Sequence, residues 1–138
     1  MFLSSLIFGA HTALEAVAGS MLLIRGKGAL DGDSTTVRSR LYRRWHGAGL
    51  LALSALGGVV LLRRQVGSEA GRSAALVLGF FHGTAVAVHA YSAFDTNNSG
   101  GIRALGDDGV SFKGALLSPH LPLAAGFAVI LLAGRGAP

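Results

Sequence analysis

The sequence predicts an all-α fold: a polytopic membrane protein with four transmembrane helices in an antiparallel bundle, as a single domain over residues 1–138. Three observations predict it. Four apolar runs, each near the length of a bilayer span, follow one another along the chain. Charged residues make up only 14% of the chain, against about 25% in a soluble domain. The basic residues that are present gather between the runs rather than within them. Hydrophobic residues reach 51% and the mean hydropathy is +0.53, so a disordered chain, a coiled coil and a highly charged nucleic-acid tail are all excluded.

The predicted spans cover residues 2–24 (FLSSLIFGAHTALEAVAGSMLLI), 45–62 (WHGAGLLALSALGGVVLL), 74–94 (AALVLGFFHGTAVAVHAYSAF) and 115–134 (ALLSPHLPLAAGFAVILLAG). A helix crosses the hydrocarbon core in about 20 residues, within a range of about 17–25. Helices are the expected spanning form, because each segment must satisfy its own backbone in lipid. The ten-residue alternation of a membrane barrel is missing. The first run has no Lys or Arg before Arg25 and is longer than the apolar stretch of a signal peptide, so it reads as a retained helix.

The segments between the runs have their own logic. In residues 25–44, Ser34, Thr35 or Thr36 offers an N-cap. The basic stretch VRSRLYRRW that follows suits a short helix on the headgroups, with Tyr42 and Trp45 at the interface. Residues 95–114 are rich in turn formers. They begin like a calcium loop at Asp95, but the twelfth position is Gly106 where a bidentate Glu is needed. Asn97-Asn98-Ser99 is a glycosylation sequon in a segment that the charge bias places in the cytoplasm. Pro119 and Pro122 leave two readings open: a kink in the fourth span, or its first turn.

Small residues recur in every span, with Gly79 and Gly83 as a GxxxG pair, Gly9 with Ala13, Ala48 with Ala52, and then Gly57, Gly58 and Gly126. Such residues let helix backbones approach closely in lipid. Packing within one bundle is the first reading of them, and a dimer face, hence a homo-oligomer, is the second.

The five histidines, His11, His46, His82, His89 and His120, all fall within the predicted spans, together with one acidic residue, Glu15. Ionisable groups in lipid cost at least a few kcal/mol and turn toward the protein interior or water. His11 and Glu15 lie one helical turn apart, and His82 and His89 two turns apart, each pair on one face. The first and third spans run in the same direction. Matching depths therefore pair His11 with His82 and Glu15 with His89, and place His120 and His46 nearer the second of these levels. His11, Glu15, His82, His89 and His120 are the candidate ligand-binding or buried polar residues. Three readings stay open: interhelical hydrogen bonds, a binding or transport site, and haem or another metal. Imidazole is a good axial ligand, and facing helices of a bundle are where such sites are built. His46, His89 and His120 are the candidate haem ligands. Gly47 and Gly49 beside His46 leave room on the adjacent turn for a flat ligand. No catalytic set, P-loop or dinucleotide fingerprint is present. Cysteine is absent, which removes thiolate metal sites, iron–sulfur clusters and thiol nucleophiles.

Two short segments resemble known families. Gly114 to Arg135 resembles the last helix of the sterol-biosynthesis scaffold proteins of the endoplasmic reticulum. Arg44-Trp45-His46-Gly47 resembles the haem-ligating helix of membrane styrene-oxide isomerases. Each covers one segment only, and no site residue is carried over from either. They set out the two expectations: a non-enzymatic protein binding a lipophilic small molecule or a membrane-protein partner, and a haem-dependent isomerase or electron carrier. The net charge of +5 suits anionic headgroups of the bilayer; no nucleic-acid partner is expected.

Residues 25–44 and 95–114 carry eight of the basic residues, and the remaining four lie in residues 63–73 and at Arg135. The positive-inside rule places the richer segments in the cytoplasm and both termini outside it. A reporter domain fused after Pro138 should therefore give an extracytoplasmic signal; a cytoplasmic signal would overturn this orientation.

Overall fold

The computed structural model describes residues 2–25, 37–94 and 119–133, with side chains for 2–25, 40–88 and 119–133. It is all-helical among these residues. Helix α1 spans Phe2–Arg25, α2 Val37–Leu62, α3 Glu69–Phe94 and α4 His120–Ala133. The first three are long and apolar enough to cross a membrane. The fourth is apolar but has 14 residues, or about 21 Å of helix, short of the ~30 Å hydrocarbon core. The N-cap candidates Ser34, Thr35 and Thr36, the calcium-like loop and the sequon lie outside the described residues.

Two boundaries differ from the sequence expectation. The basic stretch before Trp45 is not a separate surface helix: α2 starts at Val37 and runs through it without a break. Arg and Leu favour helix, and no Gly or Pro intervenes before Trp45 to stop it. Helix α3 starts at Glu69, five residues ahead of the predicted Ala74. Ser68 is the reason. Its hydroxyl accepts the Gly71 N–H at 3.2 Å and donates to the Gln65 carbonyl at 2.8 Å, while its carbonyl takes the Arg72 N–H at 2.9 Å as the first helical bond. This is an N-cap, which satisfies a donor that the first turn would leave without a partner.

The turn from α2 into α3 closes by a Schellman motif. Gln65 N–H reaches the Val60 carbonyl at 2.9 Å and Arg64 N–H reaches the Leu61 carbonyl at 2.9 Å. The motif needs a left-handed residue, and here it is Arg64, at φ 55°, where glycine would be the less strained choice. Val60 and Val66, both buried, flank it. In α4 the Leu123 N–H bonds the Pro119 carbonyl at 3.2 Å. Pro119 therefore caps the helix and Pro122 falls in its first turn, where a missing N–H costs little. Residues 115–118, on which the kink reading depends, lie outside the described residues.

By its internal contacts the chain divides into two compact units, Met1–Ala74 and Ala75–Pro138. In the first unit α1 and α2 cross with their backbones in contact. A Cβ built on Gly19 would stand 2.8 Å from the Gly47 carbonyl oxygen, and one on Gly47 would stand 2.7 Å from both the Gly19 oxygen and the Leu23 nitrogen. These atoms are backbone and have no rotamer in which to retreat. In the second unit Gly79 faces Phe127, whose Cβ would lie 3.1 Å from an added Cβ, while Gly83 and Gly9 meet nothing within 4 Å. The GxxxG pair is thus split: one member seats a Phe and the other is open.

Substitution should sort these glycines. Gly47→Ala should cost about 1–3 kcal/mol of stability by forcing the two helices apart. Gly49→Ala, where nothing lies within 4 Å, should be neutral or stabilise by up to about 1 kcal/mol through helix propensity. Denaturant titration in detergent micelles reads both. Equal effects at the two positions would show that the crossing does not depend on Gly47.

Candidate functional site

In the first unit a polar seam runs between α1 and α2. The buried residues of α1 are Phe8, His11, Glu15 and Gly19, spaced by three or four so that they form one stripe. Facing them, α2 buries Gly47, Leu50, Ser54, Gly57 and Val60. Two hydrogen bonds tie the stripes in opposite senses. His11 Nε2 lies 3.1 Å from the Leu53 carbonyl oxygen, and the Ser54 hydroxyl donates to the Thr12 carbonyl at 2.8 Å. A carbonyl only accepts, so Nε2 of His11 carries the proton, and in the neutral ring Nδ1 is then the acceptor nitrogen. Each bond uses the second lone pair of a helical carbonyl, so neither helix gives up a backbone bond for it. Gly57 makes room at this point: its added Cβ would stand 2.6 Å from Thr12 Oγ1 and 3.0 Å from His11 Cδ2. The Thr12 hydroxyl is buried there and has no hydrogen-bond partner among the described residues.

The second unit holds the other polar contact. Nδ1 of His82, on α3, lies 2.9 Å from Nδ1 of His120, at the start of α4. One Nδ1 must donate and the other accept, so the two rings hold different tautomers when both are neutral. Two rings each protonated at Nδ1 would point N–H at N–H and break the contact. Aromatic rings enclose the pair. Phe127 stacks on His82 at 6.0 Å with an interplanar angle of 7°. Phe81 stands edge-on to both imidazoles, at 5.1 Å from His82 and 6.1 Å from His120. His82 is fully buried.

The sequence-predicted residues fall out as follows. His11 and Glu15 are buried one turn apart on α1, and His82 is buried on α3. His120 meets His82 directly, a pairing that the depth comparison misses because it assigns His120 to the level of Glu15 and His89. The side chain of His89 lies outside the described residues. His46 is exposed on α2. The space expected beside it at Gly47 is not open to a ligand, because the α1 backbone fills it. Sequence reasoning missed Leu53, which acts through its backbone carbonyl, and no residue type announces that.

The His82–His120 contact should appear as a coupling. His82→Ala and His120→Ala should each destabilise, and the double variant should lose about 0.5–1.5 kcal/mol less than their sum. Nitrogen-15 spectra of the wild type should show one protonated and one bare Nδ1. Strictly additive losses would mean that the contact contributes nothing.

No family model, curated protein or solved structure matches this chain, so the functional reading rests on the geometry alone.

Proposed function

We propose that this is a multi-pass integral membrane protein that works by binding rather than by catalysis, taking a lipophilic small molecule or a membrane partner against its buried polar side chains. Four spans of alternating direction follow from the sequence pattern, with residues 25–44 and 95–114 on the cytoplasmic side and both termini outside. One observation carries the reading: three helices long and apolar enough to cross a bilayer keep large apolar side chains on their outside. Phe2, Ile24, Leu62 and Phe80 are exposed on them, while His11, Glu15, Ser54 and His82 are buried beside an apolar core. Lipid suits that outer face, and polar groups are costly against acyl chains.

The Thr12 hydroxyl supports a ligand over mere interhelical glue. A buried hydroxyl without a partner costs about 1–3 kcal/mol. A polar group on an otherwise apolar ligand would satisfy it, next to the His11 ring. The haem alternative draws on the number of histidines, and the spectrum of the purified protein decides it.

The test joins stability to occupancy. The protein should fractionate with membranes and resist alkaline extraction. Organic extracts of the purified protein should yield one lipophilic molecule near stoichiometric amount. Thr12→Val should release that molecule, and in protein stripped of it the substitution should leave stability unchanged or raise it by about 1 kcal/mol. Loss of stability in the stripped Thr12→Val protein would show that the hydroxyl is already partnered within the protein. A Soret band after expression with haem supplied would replace the proposed ligand with haem.

A further inference from the structure

The far end of the α1–α2 pair holds a different kind of site. Arg25, the last residue of α1, and Arg40, Leu41 and Arg44 in the opening turns of α2 line a cleft of about 320 Å³. Arg40 and Arg44 stand one turn apart on a single face of α2. None of the three guanidinium groups is paired with an acid among the described residues. Glu15 is ten residues along α1 from Arg25, about 15 Å up the axis, too far to compensate it. Leu41 forms an apolar wall of the cleft, and Trp45, one turn beyond it, is 68% exposed. Tyr42, 63% exposed, lies on the same turns.

We infer that this cleft binds the phosphate of an anionic phospholipid headgroup. The inference rests on the membrane placement proposed above. Three observations argue it together. Three like charges converge on one concavity, which is unfavourable unless an anion joins them. Guanidinium is planar and forked, matched to the paired oxygens of a phosphate. The charges sit at the ends of two helices that are each apolar enough to cross a bilayer, with exposed Leu, Tyr and Trp beside them. That is the depth of a headgroup, where aromatic rings anchor and Arg meets anionic lipid. A soluble phosphate would use the arginines but not the apolar wall. A phospholipid uses both: its phosphate meets the guanidinium groups, and its glycerol and first methylenes lie against Leu41 and Trp45.

The experiment is competitive lipid retention. The full chain is reconstituted with equal amounts of phosphatidylglycerol and phosphatidylcholine, then released into the gas phase for native mass spectrometry. The wild type should retain phosphatidylglycerol over phosphatidylcholine by about 100-fold, the scale set by roughly 1 kcal/mol for each of three arginines near an anionic lipid. Arg40→Gln with Arg44→Gln, which leaves Arg25 alone, should bring the ratio down to about five-fold. Arg63→Gln with Arg64→Gln, at the opposite end of α2, should leave it unchanged. A parallel arm adds inorganic phosphate to protein in neutral detergent and reads thermal stability. No preference in the wild type overturns the site, whatever the variants do. An equal loss in the Arg63/Arg64 variant overturns its location. Thermal protection by inorganic phosphate without retained lipid overturns the lipid as its source. Failure of the protein to fractionate with membranes, by contrast, removes the membrane placement itself.

Discussion

The first unit is organised around the absence of two side chains. Gly19 and Gly47 let the α1 and α2 backbones touch, and two polar contacts between these helices lie along the same seam. At the usual separation of 8–10 Å between helix axes, a Ser hydroxyl has difficulty reaching a carbonyl on its neighbour. At this crossing the Ser54 hydroxyl reaches the Thr12 carbonyl at 2.8 Å and the His11 ring reaches the Leu53 carbonyl at 3.1 Å. Close approach also lets dispersion act over long stretches of backbone. Gly57 extends the same device two turns and more along α2, giving up its side chain so that His11 and Thr12 have room.

The second unit solves a similar problem with rings instead of glycines. His82 and His120 each need a partner once they leave water, and each serves as the other's. The pair is directional, since it demands one donor and one acceptor, so it fixes the rotation of α3 against α4 as well as their separation. Phe81 and Phe127 then pack around a contact that has already oriented the helices, and Gly79 provides the seat for Phe127. Polar side chains in both units therefore do structural work and also define the chemistry available inside. A ligand entering either region meets hydrogen-bonding groups already held in place.

The arginines of α2 are kept apart from this interior. The arginines of α2 stand in its first two turns and immediately beyond its last, and the span between them, Trp45 to Leu62, holds no charged residue. That separation leaves one continuous helix with a basic first part and an apolar stretch long enough to cross a membrane. The Schellman turn at Arg64 and the Ser68 cap then reverse the chain within six residues, from Leu62 to Glu69. The left-handed strain at Arg64 is tolerated because two backbone bonds and the buried Val60 and Val66 hold the turn.

What the sequence determined by itself was the helical class, three helices apolar and long enough to cross a membrane, and the polar residues His11, Glu15 and His82 that the structure buries. Hydropathy is a sum over neighbours in the chain, so it survives without coordinates, and an isolated His or Glu in an apolar run is conspicuous whatever its partner. The ends of α2 and α3 were less legible, because a basic stretch and a Ser cap extend helices past the point where hydropathy falls. Only the tertiary structure decided that His120 meets His82, that Gly47 faces the α1 backbone rather than a ligand, and that Arg25 joins Arg40 and Arg44 in one cleft. Each of these depends on the rotation of one helix about its axis relative to another. A shift of a single residue turns a helix face by 100°, and nothing local in the chain selects among such rotations; packing does.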